Sequence, residues 1–358
     1  MSDKTEKTSA DHFNGPACPI PISNYPHVLL AHGGGGTLSH QLIGKMIARH
    51  FDNPALNQLH DGAILSAGDT RLAFSIDSYV IKPVFFPGGN IGELAVYGTV
   101  NDLAMCGSTP RYISAGFIIE EGLPMEDLWQ IVQAMKTAAD RSGVQIVTGD
   151  TKVVDRGKGD GIFINTAGIG FIQAGREIAP SSAKAGDVII VSGEIAQHGI
   201  AIMSVRENLE FETTIQSDCA PLNSLVDAMF AASTGIHVLR DPTRGGVASA
   251  LNEIAESSQC GIRISEREIP VNAEVRGACE LLGFDPLYVA NEGKLIAFVD
   301  ASEAEKVLAA MKNHPLGTRS SIIGQVVAEH PGTVVMTTSI GSSRVVDMLS
   351  GEQLPRIC

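Results

Sequence analysis

What this 358-residue chain lacks narrows its function first. It has no basic block, and its 26 Lys and Arg are set against 40 Asp and Glu, a formal net charge of -14. Duplex nucleic acid requires a basic footprint to neutralise phosphates, so no nucleic-acid partner is expected. Aromatic residues make up only 5% of the chain, which argues against the stacking platforms that carry single strands. No run of about 18 uncharged apolar residues occurs, so no membrane span is expected. The amino-terminal MSDKTEKTSADHFNG lacks the apolar stretch of a secretory signal, and a cytoplasmic location is expected. The six cysteines, Cys18, Cys106, Cys219, Cys260, Cys279 and Cys358, form no CxxC pair. A zinc knuckle or disulfide scaffold is therefore poorly supported.

What is present reads as a folded protein: 44% hydrophobic residues and 38 glycines for many turns. The length suits two domains, with one large α/β domain as the alternative. Residues 1–25 read as a flexible leader, polar at first and then rich in proline. In GAILSAGDTRLAFSIDSYVIK (62–82), apolar segments flank the turn AGDT, and LAFSI with DSYVI suggests two short strands or one bent strand. Asn90 to Met105 is predicted to be a helix despite Gly98, which could permit close approach of a neighbouring backbone. A helix is expected over 124–142, with Pro124 in its first turn, Gly143 as C-cap and a buried stripe of Leu128, Ile131, Val132, Met135 and Ala139. VQIVTGD reads as a strand ending in an acidic loop. A boundary falls near REIAPSSAKAGDVIIVSG, after which strands and helices alternate again. Each half thus reads as strands packed on helices, an α/β (mixed α+β) fold whose strand order periodicity does not fix.

Five acidic residues stand at predicted element ends: Asp61, Asp77, Asp102, Asp150 and Asp241. Several carboxylates supply the hard oxygen ligands that Mg²⁺ needs, although each alone could cap a helix or close a turn. In HGGGGTLSHQLI, Gly33, Gly34, Gly35 and Gly36 would let backbone amides crowd an anion ahead of a helix. The run fits neither a Walker A loop nor GxGxxG, and a tight structural turn is an equal reading. Lys152 in TGDTKVV could offset phosphate charge, Glu292 in ANEGKL could serve as a base, and Arg244 in DPTRGG could bind phosphate or a carboxylate. The chain ends GEQLPRIC. A terminal thiol has little around it to pack, can be presented to another site, and is nucleophilic as its thiolate.

HGGGG, DGAIL, SIDSYVI, TVNDLAMCG, VTGDTKVV, RDPTRGGVA, ANEG and the terminal PRIC together resemble the HypE family of hydrogenase maturation factors. That family lies in the PurM-like ATP-binding superfamily, and the likeness runs from about residue 26 to the end. It implies an amino-terminal ATP-binding and dimerisation domain (26–178), a second PurM-like domain (179–346) and a mobile tail (347–358) ending in a reactive cysteine. It implies ATP and Mg²⁺ as cofactors, with Asp61, Asp77, Asp102 and Asp241 holding the ion and phosphates. Asn101 would sit beside them, Asp150 and Lys152 would line the site, and Gly33–Gly36 would close over the nucleotide. Lys152 and Glu292 would face the incoming Cys358. The implied reaction is ATP-dependent dehydration of an S-carbamoyl group on Cys358 to a thiocyanate. The implied partners are a second copy of the chain, the carbamoyltransferase HypF and a HypC–HypD complex. The alternatives are a nucleotide-switched scaffold and a related enzyme acting on a free small molecule, for which Cys358 would be dispensable.

Overall fold

The computed structural model describes residues 27–208, 215–350, 354 and 356–358. The leader expected over 1–25, with Cys18, and the Pro355 of PRIC lie outside the described residues. After the short helix α1 (Thr37–Gln41), the first half builds a five-stranded sheet from β1 (Ala63–Ala67), β2 (Thr70–Tyr79), β5 (Ser108–Glu120), β6 (Gln145–Val154) and β7 (Ile162–Ile172). A two-stranded hairpin, β3 (Phe85–Phe86) and β4 (Gly89–Asn90), precedes helix α2 (Ile91–Met105). The sheet order is β1-β2-β7-β5-β6, antiparallel except for β5 and β6, which helix α3 (Met125–Ser142) joins in parallel.

Helix α2 explains how the two halves meet. Asn90 caps it by accepting the N–H groups of Gly92 and Glu93. Nearly every residue from Ile91 to Met105 is buried, as expected of a helix that is apolar all round. It packs on β2, β5 and β7, on α3, and on α5 and β9 of the second half. Gly98 makes this possible, because a Cβ there would fall 2.2 Å from the Tyr79 hydroxyl. In α3, Ile131, Met135 and Ala139 are buried as the stripe predicted, but Val132 is exposed. Pro124 is the residue before the helix rather than in its first turn.

The second half holds β8 (Val188–Val191), α4 (Gln197–Arg206), α5 (Asn223–Ala232), β9 (Ile236–Arg240), α6 (Gly246–Ser258), β10 (Gly261–Ser265), α7 (Ala273–Leu282), β11 (Ile296–Val299), α8 (Ala304–Lys312), β12 (Ser321–Val327), β13 (Val334–Thr337) and β14 (Ser343–Val345). Its seven strands run β14-β13-β10-β12-β8-β11-β9. The pairing of Ile296 with Arg240 sets the end of β9 beside the start of β11. The loops carrying Asp241 and Glu292 therefore meet, and Asn291 ties them by donating its side-chain amide to the Pro242 carbonyl at 2.9 Å. One core cluster spans both halves, joining Tyr79, Ile81 and Val96 to Ile202, Ala290, Ile357 and Cys358.

Candidate active site

Three carboxylates from three elements converge at this seam. Asp61 precedes β1, Asp102 lies in the last turn of α2, and Asp241 follows β9. Their ligand oxygens lie within 4.8 Å of one another. Burial and repulsion from Asp241 push the Asp102 carboxyl well above its usual range. Burial and Asp61 raise Asp241 to about 8, against the pull of Arg240. The Ser75 hydroxyl on β2 lies 2.7 Å from Asp102 Oδ2 and 2.9 Å from the Asp61 carbonyl oxygen. Asp61 Oδ2 has no hydrogen-bond partner among the described residues. The nearby His60 Nδ1 is already accepting the Asp61 backbone N–H at 2.8 Å. Converging carboxylates, Asp241 buried and Asp61 and Asp102 half-buried, with an unpartnered oxygen make a donor set that fits a hard divalent cation. Asp77 lies outside this trio but close enough to raise the pKa of both Asp102 and Asp241. It sits inside β2, which is one continuous strand, rather than at a strand end.

Glu292 and Cys358 are on the same side of the seam. Glu292 is 4% exposed, and its Oε1 has no hydrogen-bond partner among the described residues. Burial, followed by Asp241 and Asp77, raises its carboxyl well above the ordinary value. Behind it Asp218 accepts the Glu292 backbone N–H at 3.1 Å and pairs with Lys294 at 3.1 Å. Burial opposes the Asp218 charge, but Lys294 and the Glu292 backbone N–H outweigh it and hold the carboxyl below its usual range. Cys358 is 8% exposed, so the tail's last residues are docked rather than free. The expectation that the terminal thiol has little around it fails because the chain end inserts between the halves. Burial pushes the thiol up to about 12, and Arg244 pulls the other way. Arg244 also donates to the Gly33 carbonyl at 3.3 Å.

The glycine run packs onto this arginine. Gly35, at φ 73°, sits where a Cβ would lie 2.8 Å from Arg244. Its N–H donates to Ser39 Oγ at 3.0 Å, and the Thr37 N–H donates to the Leu349 carbonyl at 2.9 Å. Two amides that could have cradled an anion are thus bonded within the chain, and the helix that follows has only five residues. His32 is buried beside Leu29.

Three expected site residues are placed differently. Asn101 spends its amide on backbone, donating to the Ala220 and Glu292 carbonyls at 3.1 Å and accepting the Leu222 N–H at 2.8 Å. It fastens α2 to the second half and offers no spare polar atom to a ligand. Asp150 and Lys152 stand in mid-strand, because β6 continues to Val154 instead of ending at the acid. They pair with each other at 2.6 Å, both well exposed, and Lys152 holds the Asp150 carboxyl below its usual range. The register Lys152–Ile118–Phe163 puts Lys152 on the open face of the sheet. Asp77, through Thr166 and Ala115, is on the helix-covered face. Three strand spacings also separate β6 from β2, about 14 Å. Lys152 therefore does not face Cys358 of its own chain; Arg244 is the cation there.

Sequence reasoning missed the partners that hold this site. Arg240 binds Asp61 at 2.8 Å and also Glu253, which accepts from His40 at 2.9 Å. IHVLRD drew attention to its acid, yet the arginine between Leu239 and Asp241 was the available signal. Glu253 and His40 lie 213 positions apart, and nothing local links them. Asp218, Lys294 and His198 were not singled out either.

The comparisons agree with this architecture. The family "AIR synthase related protein, N-terminal domain" matches residues 59–172, and its C-terminal counterpart matches residues 184–337. The chain is 54% identical over 331 residues to the "Carbamoyl dehydratase HypE" of Rhizobium leguminosarum bv. viciae, covering 92% of this chain and 94% of that one. A crystal structure of a HypE–HypF complex matches with TM-score 0.83 and 48% identity, over 86% of this chain and 99% of that chain. A HypE structure in complex with ATP matches with TM-score 0.79 and 49% identity, over 93% of this chain and 100% of that chain. With identity near one half across nearly the full length of both, and two PurM-like α/β domains in the expected order, this chain belongs to the HypE family.

Proposed function

We propose that this protein is an ATP-dependent carbamoyl dehydratase acting on its own terminal residue, converting an S-carbamoyl group on Cys358 into a thiocyanate. The observation that carries this reading is the seat of Cys358, buried at the seam within electrostatic reach of Glu292, Arg244, Asp77 and Asp102. A catalyst for a free small molecule has no use for its own chain end at that point.

Asp61, Asp102 and Asp241 would hold Mg²⁺, with Asp77 beside them. Bound ATP with Mg²⁺ would supply the phosphoryl group that turns the carbamoyl oxygen into a leaving group. The oxygen departs with phosphate, the nitrogen gives up two protons, and S–C≡N remains. Glu292 is suited to take one of those protons. Its unpartnered Oε1 is buried and its raised pKa makes it a stronger base than an exposed carboxylate. Arg244 is suited to balance negative charge developing beside the sulfur.

Two copies would pair through the open face of the first sheet. That face carries the exposed Phe74, Ile76, Tyr112, Ile118 and Ile169, and a contiguous exposed apolar patch is a mark of an interaction surface. Lys152 shares it on the edge strand β6, from which it would reach past the rim of the paired sheets to the partner's site. HypF would load Cys358, and a HypC–HypD complex would receive the cyanide for a nickel–iron hydrogenase. The direct test is infrared spectroscopy of protein loaded with ¹³C-carbamoyl. A nitrile band that appears only after ATP and Mg²⁺, and shifts with the label, supports the reading. ATP binding without any nitrile would favour a nucleotide-switched scaffold.

A further inference from the structure

We infer that helix α4 is the dock that seats the chain end, with His198 as its positioning residue and Arg206 as the second clamp. This rests on the reading of Cys358 as the reacting group. His198 Nε2 lies 2.7 Å from the Ile357 carbonyl, and Nδ1 lies 2.8 Å from Ser217 Oγ. The ring is fully buried, edge-on to Phe86 with centroids 5.6 Å apart. Burial favours the neutral imidazole, which carries one N–H and one lone pair. A carbonyl can only accept, so the proton sits on Nε2 and Nδ1 accepts the Ser217 hydroxyl. Ser217 Oγ in turn accepts the Cys219 N–H at 3.1 Å.

The other end of α4 repeats the device. Arg206 donates through Nη2 to the Arg356 carbonyl and through Nε to the Lys82 carbonyl at 2.6 Å. The first half closes the clamp. The Val80 N–H donates to the Cys358 carbonyl at 3.0 Å, Arg356 donates to the Val80 carbonyl at 3.3 Å, and Arg356 pairs with Asp160. Three successive tail carbonyls, those of Arg356, Ile357 and Cys358, are thereby held by Arg206, His198 and Val80. The carbonyl contacts fix how far the chain end reaches, and the Arg356 side chain, on Val80 and Asp160, fixes its course. Ile357, 2% exposed, supplies the apolar anchor. The outcome is a thiol brought to Glu292 and Arg244 at a fixed depth.

The test is carboxamidomethylation of the full-length protein with iodoacetamide, followed by peptide mass spectrometry. Cys279, buried in the second-half core, reports global unfolding. Removing a buried hydrogen bond that holds the tail should favour its opening, so H198A should label at Cys358 about tenfold faster or more, with Cys279 still protected. H198Q, which retains a donor at a similar position, should label closer to the wild-type rate, and R206A should also accelerate. Wild-type labelling at Cys358 in both H198A and R206A overturns the proposal, as does H198Q matching H198A. Should H198A unfold and expose Cys279, R206A decides it. This readout follows docking alone, so it stands or falls separately from the nitrile test.

Discussion

Arg240 holds Asp61 Oδ1 at 2.8 Å, and its second terminal nitrogen binds Glu253. One carboxylate of the acidic trio is thus neutralised by the protein itself, which lets the cluster exist before any cation arrives. Glu253 is likewise held by Arg240 and His40, and the pair keeps its carboxyl below the usual range despite burial.

Arg240→Ala leaves the largely buried Asp61 carboxylate without its cation and Glu253 with His40 alone. Breaking a buried pair from one side costs about 3–5 kcal/mol. Urea denaturation should show a loss of that size, and excess Mg²⁺ should restore part of it by supplying charge to Asp61. A loss below about 1 kcal/mol would show that the pair behaves like an exposed one.

The Cys358 thiol gives a signed pH dependence. Its docked pKa, about 12, is above the free value of about 8.5. A raised thiol pKa favours docking in the protonated form, so docking is fully present below about 8.5 and is lost as pH rises from there toward about 12. Alkylation of Cys358 should therefore keep rising with pH beyond the point where a free thiol levels off. A plateau near the free-thiol value would mean that the tail is undocked in solution.

Lys152 acting across the dimer predicts complementation. Neither K152A nor C358A alone should form thiocyanate. Mixed dimers should, because the C358A subunit supplies Lys152 to the partner's Cys358. Mass spectrometry of re-mixed, loaded subunits reads this directly. Inactive mixed dimers would return Lys152 to its own chain.

The sequence made some of this legible and hid the rest for physical reasons. Helix α2 was readable despite Gly98, because its capping Asn90 and apolar run outweigh one glycine, and the contact with Tyr79 explains that glycine. Asp61, Asp102 and Asp241 could be named because acids at element junctions are a local pattern, and the register of β9 with β11 brings Asp241 to the seam with Glu292. Asp77 and Asp150 looked like strand ends because polar residues usually interrupt apolar runs. In β2 and β6 the strands continue through them. The face of β6 that Lys152 occupies was hidden for a related reason: which face a strand residue takes depends on register, which one chain's pattern does not reveal. The docking of Cys358 was invisible, since it depends on His198 and Arg206, 159 and 150 positions away from their acceptors.

In the proposed reaction Cys358 is both the carrier and the substrate, with Glu292 acting on it. Intact mass of the carbamoyl-loaded protein, before and after ATP with Mg²⁺, tests it most directly. The wild type should lose the mass of one water and C358A should never load. E292Q should load but convert about 10²–10⁴-fold more slowly. A loaded wild type that binds ATP yet keeps its mass, or an E292Q variant that converts at the wild-type rate, would contradict the account.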